Sequence, residues 1–369
     1  MKQIFLSLSI VIAGICGKVS AQALSDKYAA MLTVPKGYVC YRTADSIRID
    51  GLADELSWKR AQPTESFVDI SGDHFPTPRY HSTAKMLWDD HYLYIFAEME
   101  EPHIWANLQK RDTIVFYDSD FEVFIDPVGD AHNYFEIETN AIGTVFDLSL
   151  TMPYRAPRRP FIQFQWNCPG LKLATHCEGK INDPNGTDKG WSVEMAIPRE
   201  AIASEFDNYL KSWHWLRINF SRVEWQYELD TNGRYGRKKG KDGKYLPEDN
   251  WVWTPSGQIT MHMPERWGYM YLSDKRVGQG TDAFRYPESQ PVQRFLWMLF
   301  YAQEEQYAKD KSYYKSFAAF NLQEKDMQLL PAGYKVQVEA TSHTYEITAS
   351  APDGKQYVIN ESGNCFIRK

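Results

Sequence analysis

From about residue 45 to 275 the chain alternates apolar and polar positions with a period of two. Ala84 to Trp88 and Tyr92 to Ala97 do so on either side of Asp89-Asp90-His91, which predicts a hairpin with an acidic turn. Phe121 to Ile125, Tyr134 to Glu138, Val145 to Leu150, Phe161 to Trp166, Leu171 to Thr175, Trp191 to Ile197 and Leu216 to Glu224 repeat the signal. Turn residues separate them: Asp126-Pro127, Asn140 to Gly143, Pro169-Gly170 and Asp183 to Gly190. Many short antiparallel strands with one short helical insert, Pro198 to Leu210, specify an all-β fold, an antiparallel β-sandwich rather than a parallel α/β sheet.

The period changes near residue 285. Between Pro291 and Lys311, Phe295, Met298, Leu299, Ala302 and Gln306 fall on neighbouring turns of one amphipathic helix. Tyr334 to Ala349 alternates again, and Pro352-Asp353-Gly354 turns the chain into Tyr357-Val358-Ile359. The expected organisation is a leader (1–21), a sandwich (22–275) and a C-terminal extension (276–369) of one helix and a small hairpin, to which no chemistry is assigned.

The leader has the pattern of a secretory signal peptide: Lys2, an apolar stretch from Ile4 to Gly17, and Val19-Ser20-Ala21 before Gln22, with Ala21-Gln22-Ala23 as the alternative cleavage site. The stretch is too short for a span of about 20 residues. Ile15 stands before Cys16 where a lipid-attachment site wants a small residue. Export to the periplasm or the extracellular space is therefore expected, with cleavage near Ala21. Cys40, Cys168, Cys177 and Cys365 remain, an even number that permits two disulfides in any of three pairings.

Composition narrows the partner. A net charge of −7 speaks against nucleic acid, which needs a basic surplus on one face. Aromatic residues make up 15% of the chain, and such flat amphipathic side chains suit strands and recognition surfaces. The chain has no GxGxxG after a strand, no GxxxxGK[ST], no GxSxG, no HExxH and no CxxC, so the usual entry points to nucleotide, triad and zinc chemistry are missing. Met261-His262-Met263 alternates across a strand and cannot converge on one metal. Two basic stretches, Gly233 to Lys244 and the one holding Arg155, Arg158 and Arg159, read as exposed loops, with contact to an anionic glycan as the alternative.

IDGLADELSWKRA (Ile49 to Ala61) resembles the opening strand and turn of carbohydrate-binding module family 9. Later segments follow in the family's order: Trp88 to Pro102, Asp118 to Asp130, Tyr134 to Asp147, Gly190 to Pro198, Asn219 to Gln226 and Asn250 to Leu272. The resemblance implies a terminal sugar gripped between two aromatic rings, acidic and amide groups at its hydroxyls, and structural calcium. It places Glu122 at the family's strand glutamate, Asn140 at its amide, and Phe116, with Tyr117 beside it, at one stacking tryptophan. Glu138 stands where the family carries an arginine.

For the second stacking ring, Trp251 and Trp253 share one face of a strand, with Trp267 as a rival; Trp58, Trp88, Trp191 and Trp215 read as core. Asp118, Asp120, Asp126 and Asp130 offer hard oxygens for the implied calcium. The expected protein is thus an exported, noncatalytic binder of an oligo- or polysaccharide, working beside glycan-degrading enzymes in polysaccharide utilisation. The alternative is a glycoside hydrolase using a pair of the same carboxylates.

Overall fold

A computed structural model describes residues 22–72, 75–157, 160–203 and 215–368. The leader, most of the helical insert after Pro198, and Arg158 and Arg159 lie outside the described residues; of that insert a single 3-10 turn, Arg199–Ile202, is described. The strands, in chain order, are β1 (Gly37–Arg42), β2 (Val68–Asp69), β3 (Ser82–Trp88), β4 (Tyr92–Glu100), β5 (Asp120–Asp126), β6 (Tyr134–Asn140) and β7 (Val145–Leu150). Next come β8 (Ile162–Gln163), β9 (Lys172–Glu178), β10 (Gly190–Pro198), β11 (Trp215–Glu224), β12 (Tyr227–Leu229), β13 (Tyr235–Arg237), β14 (Asp249–Val252) and β15 (Gly268–Arg276). β16 (Lys335–Ala340), β17 (Tyr345–Ser350), β18 (Gln356–Asn360) and β19 (Cys365–Arg368) follow the helix Gln290–Asp310.

Hydrogen bonds run through the order β8-β7-β6-β5-β11-β15-β1-β3-β4-β10-β9, with β14 and β2 added beside β11. β1 joins two halves of this path. Its first residues pair with Tyr269 to Leu272 of β15, the register shifts between Cys40 and Arg42, and its last two pair with Leu87 and Trp88 of β3. A strand that changes partner at an irregularity is how sandwiches turn a corner. The two halves then face one another across a core to which Met86, Ile95 and Val193 contribute from one side and Val123, Ile137 and Phe220 from the other. The architecture is a β-sandwich followed by a helix, as the period-two pattern predicts.

The expected terminal hairpin is part of a larger unit: β16 to β19 form a four-stranded antiparallel sheet, and the helix lays Val292, Phe295, Met298 and Leu299 against it in a core of their own. Of the predicted strand from Phe161 to Trp166 only β8 forms. All four cysteines are free thiols. Cys40 belongs to the sandwich core and Cys365 to the C-terminal core, which separates that pair, while the Cys177 thiol turns to the Ala141 carbonyl. Trp58, Trp88 and Trp191 are buried as expected, but Trp215 is 38% exposed at the start of β11 and donates its indole N–H to the Arg285 carbonyl. Arg155, read as a loop cation, is instead largely buried and paired with Glu265 at 2.8 Å.

Trp253 is fully buried against Tyr38 and Phe220, and a Cβ at Gly268 would come within 2.3 Å of its ring. Gly268→Ala is therefore expected to lower stability by about 1–3 kcal/mol through overpacking. Adding Trp253→Phe, which shortens the ring, should cancel part of that loss. Urea unfolding of the two single variants and the double variant measures this coupling; strictly additive losses would mean the two residues do not meet as described.

Candidate functional site

Alternation puts two chemistries on the two faces of β5, β6 and β11. Phe121, Val123, Ile125, Ile137, Ile218 and Phe220 enter the core, so Asp120, Glu122, Phe124, Glu136 and Glu138 occupy the opposite face. Antiparallel register sets Glu122 opposite Glu138, Phe124 opposite Glu136 and Asp120 opposite Asn140. On β7, Phe146 and Leu148 stand beside Glu138 and Glu136.

Over this face lies an open cavity of about 380 Å³. Glu122, Glu136 and Glu138 line its floor, and Phe116, Tyr154 and Phe164 its walls, with His262 and Asn250 also in the lining. Tyr154 and Phe164 are 48% and 53% exposed. The Tyr154 ring stands edge-on to His262, centroids 4.3 Å apart, and Phe164 stacks on Phe146. Phe116 is fixed through its backbone: its carbonyl accepts the Trp225 indole N–H at 2.7 Å, and its N–H donates to Glu138 Oε2 at 3.3 Å.

Burial sets the electrostatics. It pushes Glu122 up to about 7 and, together with the Glu122 charge, Glu136 up to about 8. Asp120 and Glu138 are raised for the same two reasons in the same order. His262 goes the other way, to about 3, by burial and then by the Arg155 charge. Its Nδ1 lies 2.9 Å from the Tyr134 hydroxyl and its Nε2 3.9 Å from Glu136 Oε2, but a glutamate whose own proton is held to about 8 offers the imidazole no charge at neutral pH.

Of the residues singled out from sequence, Phe116 and Glu122 share this cavity. Asn140 does not line it. Its Nδ2 donates to the Leu108 carbonyl and to Asp118 Oδ2, and its Oδ1 accepts from the Thr144 N–H, so it closes the turn after β6. Trp251 and Trp253 share a face, as read, but that face is the core: they are 3% and 0% exposed. Trp253 donates to Glu65 and Trp251 lies edge-on to Tyr80. Trp267 is sealed beneath Met261, Phe124 and Tyr134. The wall ring Tyr154 sits outside regular alternation, in the loop before β8, where pattern gives no facing; Phe164 lies in the stretch Phe161 to Trp166 read as a strand, of which only Ile162–Gln163 pairs; Glu136 was available as the same-face neighbour of Glu138.

The aspartates offered for calcium do not converge. Asp118 accepts from the backbone amides of Asn107 and Leu108, Asp126 from those of Val128, Gly129 and Ala131, and Asp130 from His132 and the Asn364 side chain. Asp120 turns away from them: its oxygens lie with those of Glu122 and Glu138, all three ligand atoms within 4.8 Å of one another.

Residues 49–212, the stretch that carries β5 to β7 and both exposed wall rings, match the family model described as carbohydrate family 9 binding domain-like. Over those residues the chain is similar to the carbohydrate family 9 binding domains. This family 9-like region is 28% identical over 154 residues to endo-1,4-β-xylanase A of Thermoanaerobacterium saccharolyticum, a match covering 42% of this chain and 11% of that enzyme. Two solved structures are similar at 16% identity. One is a candidate carbohydrate-binding protein from Bacteroides uniformis ATCC 8492, covering 65% of this chain and 100% of its own, with a TM-score of 0.46. The other is a family 9 module from Caldicellulosiruptor kristjanssonii in complex with cellotriose, covering 68% and 100%, with a TM-score of 0.38. No helix of the described residues is long and apolar enough to cross a membrane.

In this cleft, burial holds His262 below its ordinary value of 6.5, so the fold favours its neutral form. Its burial costs nothing above pH 6.5, and the penalty grows as pH falls from there toward 3, at roughly 1.4 kcal/mol per unit. The stability gap between the protein and His262→Gln should therefore narrow in thermal unfolding between pH 7 and pH 4. A gap that widens on acidification would show the imidazolium paired with Glu136 instead.

Proposed function

We propose that the chain binds a saccharide in the cleft above β5 and β6 without cleaving it, and that it does so as an exported protein. The observation that carries this reading is the pairing of aromatic rings with a polar floor: the exposed Tyr154 and Phe164 and the half-buried Phe116 line one open cavity with Glu122, Glu136 and Glu138. A pyranose presents C–H faces that pack on aromatic rings and hydroxyls that need acceptors at the edge. Carboxylates accept such hydroxyls strongly when ionised, and when protonated they also donate.

The matched xylanase acts on a polymeric glycan, and it matches within a region that forms a small share of its length, which supports a polysaccharide as the ligand class and glycan-degrading enzymes as companions.

Calorimetric titration with soluble xylan, mixed-linkage β-glucan, mannan and their oligosaccharides tests the proposal. Tyr154→Ala and Phe164→Ala are each expected to weaken binding about tenfold or more, the equivalent of ~1.4 kcal/mol, whereas Trp253→Phe should lower stability and leave the affinity of the folded protein unchanged. Affinity that ignores both wall rings would remove the cleft from the account, and release of reducing ends that depends on Glu122 would replace binding with hydrolysis.

A further inference from the structure

The floor of the cleft holds a charge imbalance that recognition of a neutral sugar does not require. Glu122 and Glu138 stand directly opposite one another on β5 and β6, a placement in which like charges repel. Asp120, on the same face, is fully buried with neither oxygen in a hydrogen bond of normal geometry, and its carboxylate comes within 4.8 Å of those of Glu122 and Glu138. Glu136 and Glu248 add two more carboxylates to the lining. Among the described residues, no lysine or arginine lines the cavity, and His262, 3.9 Å from Glu136, is kept neutral by burial. Elsewhere the same fold does supply a cation to its buried carboxylates: Glu101 and Glu224 share Arg222 at 2.9 and 3.1 Å, and Glu265 takes Arg155 at 2.8 Å. Carboxylates taken out of water without a counter-charge are among the most costly groups to bury, so the omission is specific to the cleft.

We propose that the cleft selects glycans bearing free amino groups, with the ammonium of a hexosamine unit set over Asp120, Glu122 and Glu138 and its ring packed on Tyr154 and Phe164. This names the substrate class of the saccharide reading above and rests on it. Three features of one cavity favour such a ligand. An ammonium has three N–H donors and no acceptor, which matches a floor made of acceptors, and its bonds to carboxylates are charge-assisted. A positive charge close to several carboxylates holds them ionised and removes the repulsion across β5 and β6, which a hydroxyl or an acetamido group in the same place leaves untouched. The walls complete the case: aromatic faces attract organic cations as well as the C–H faces of a pyranose, and a cavity of about 380 Å³ falls in the size range of small-ligand sites.

The test is calorimetric titration of the full chain at neutral pH, in EDTA to keep divalent ions off the carboxylates. Three trimers with the same β-1,4-linked backbone serve as probes: cellotriose, tri-N-acetylchitotriose and its fully deacetylated form. The deacetylated trimer should bind at least tenfold tighter than either neutral trimer, and added NaCl should shrink that margin. Glu138→Gln should cut the margin about fivefold or more. So should Glu248→Gln, whose half-buried side chain puts folding at less risk. Trilysine, which carries ammonium groups without a pyranose, should bind at least tenfold more weakly than the deacetylated trimer. No binding of the deacetylated trimer, equal affinity for charged and neutral trimers, a margin unchanged in both variants, or trilysine binding as tightly as the deacetylated trimer would each overturn the assignment, the last in favour of a basic peptide. Neutral glycans bound without preference for the amine would leave the saccharide reading standing while this one falls; failure of every glycan, including those titrated above, would remove both.

Discussion

Side chains in a strand alternate faces, and the candidate site rests on that constraint together with the pairing of β5 with β6. β5 has no exposed residue at all: every position from Asp120 to Asp126 is buried. Phe121, Val123 and Ile125 fill the sandwich core, which forces Asp120, Glu122 and Asp126 onto a face that is equally enclosed. A slip of one residue would place carboxylates in the core and phenylalanine in the cleft, so the register is pinned by the cost of burying charge among apolar groups as much as by ladder hydrogen bonds. The same enclosure raises the proton affinity of Glu122 and Glu136, and it turns a row of ordinary acidic residues into a floor with distinctive chemistry.

This explains what was legible in the sequence and what was not. The acidic hairpin Ala84 to Ala97, the strand Phe121 to Ile125 and the helix from Pro291 were readable because each repeats one period over enough residues to fix a face. Glu122 was readable for the same reason, helped by the resemblance around it. Trp251 and Trp253 were correctly placed on a common face, but period two says only that two side chains agree, not which of two faces is the core. That choice depends on what packs across the sheet, and Phe220, Tyr38 and Gly268 decide it. Asn140 shows the same limit: its type suits a sugar hydroxyl, yet the carbonyl of Leu108 and the amide of Thr144 reach it first.

The wall rings were hidden for a different reason. Tyr154 lies in the loop before β8, where nothing local dictates which way the chain points, and Phe164 lies just past β8, in a stretch whose alternation predicted a longer strand than the Ile162–Gln163 that forms. What positions Tyr154 is its neighbour. The Arg155 guanidinium donates to Glu265 at 2.8 Å and lies 5.2 and 5.3 Å from the rings of Trp297 and Phe300 on the long helix. Glu265 also accepts from the Tyr301 hydroxyl at 2.8 Å. A buried arginine with this many partners cannot move without leaving a charged carboxylate and two aromatic faces uncompensated.

The C-terminal extension therefore bears on the cleft although it lines none of it. Its helix buries one face against β17 and β18 and presents Trp297, Phe300 and Tyr301 toward the sandwich, where they receive Arg155. The chain at 154–155 is thereby held from behind while the Tyr154 ring faces His262 in front. An aromatic wall on an unsupported loop would lose conformational entropy when a ligand packed on it, whereas a wall already clamped spends less of its contact energy on ordering. On this argument the sheet and helix after residue 285 contribute preorganisation of one cleft wall, a contribution that no residue of the extension announces in sequence because it is made entirely through Arg155.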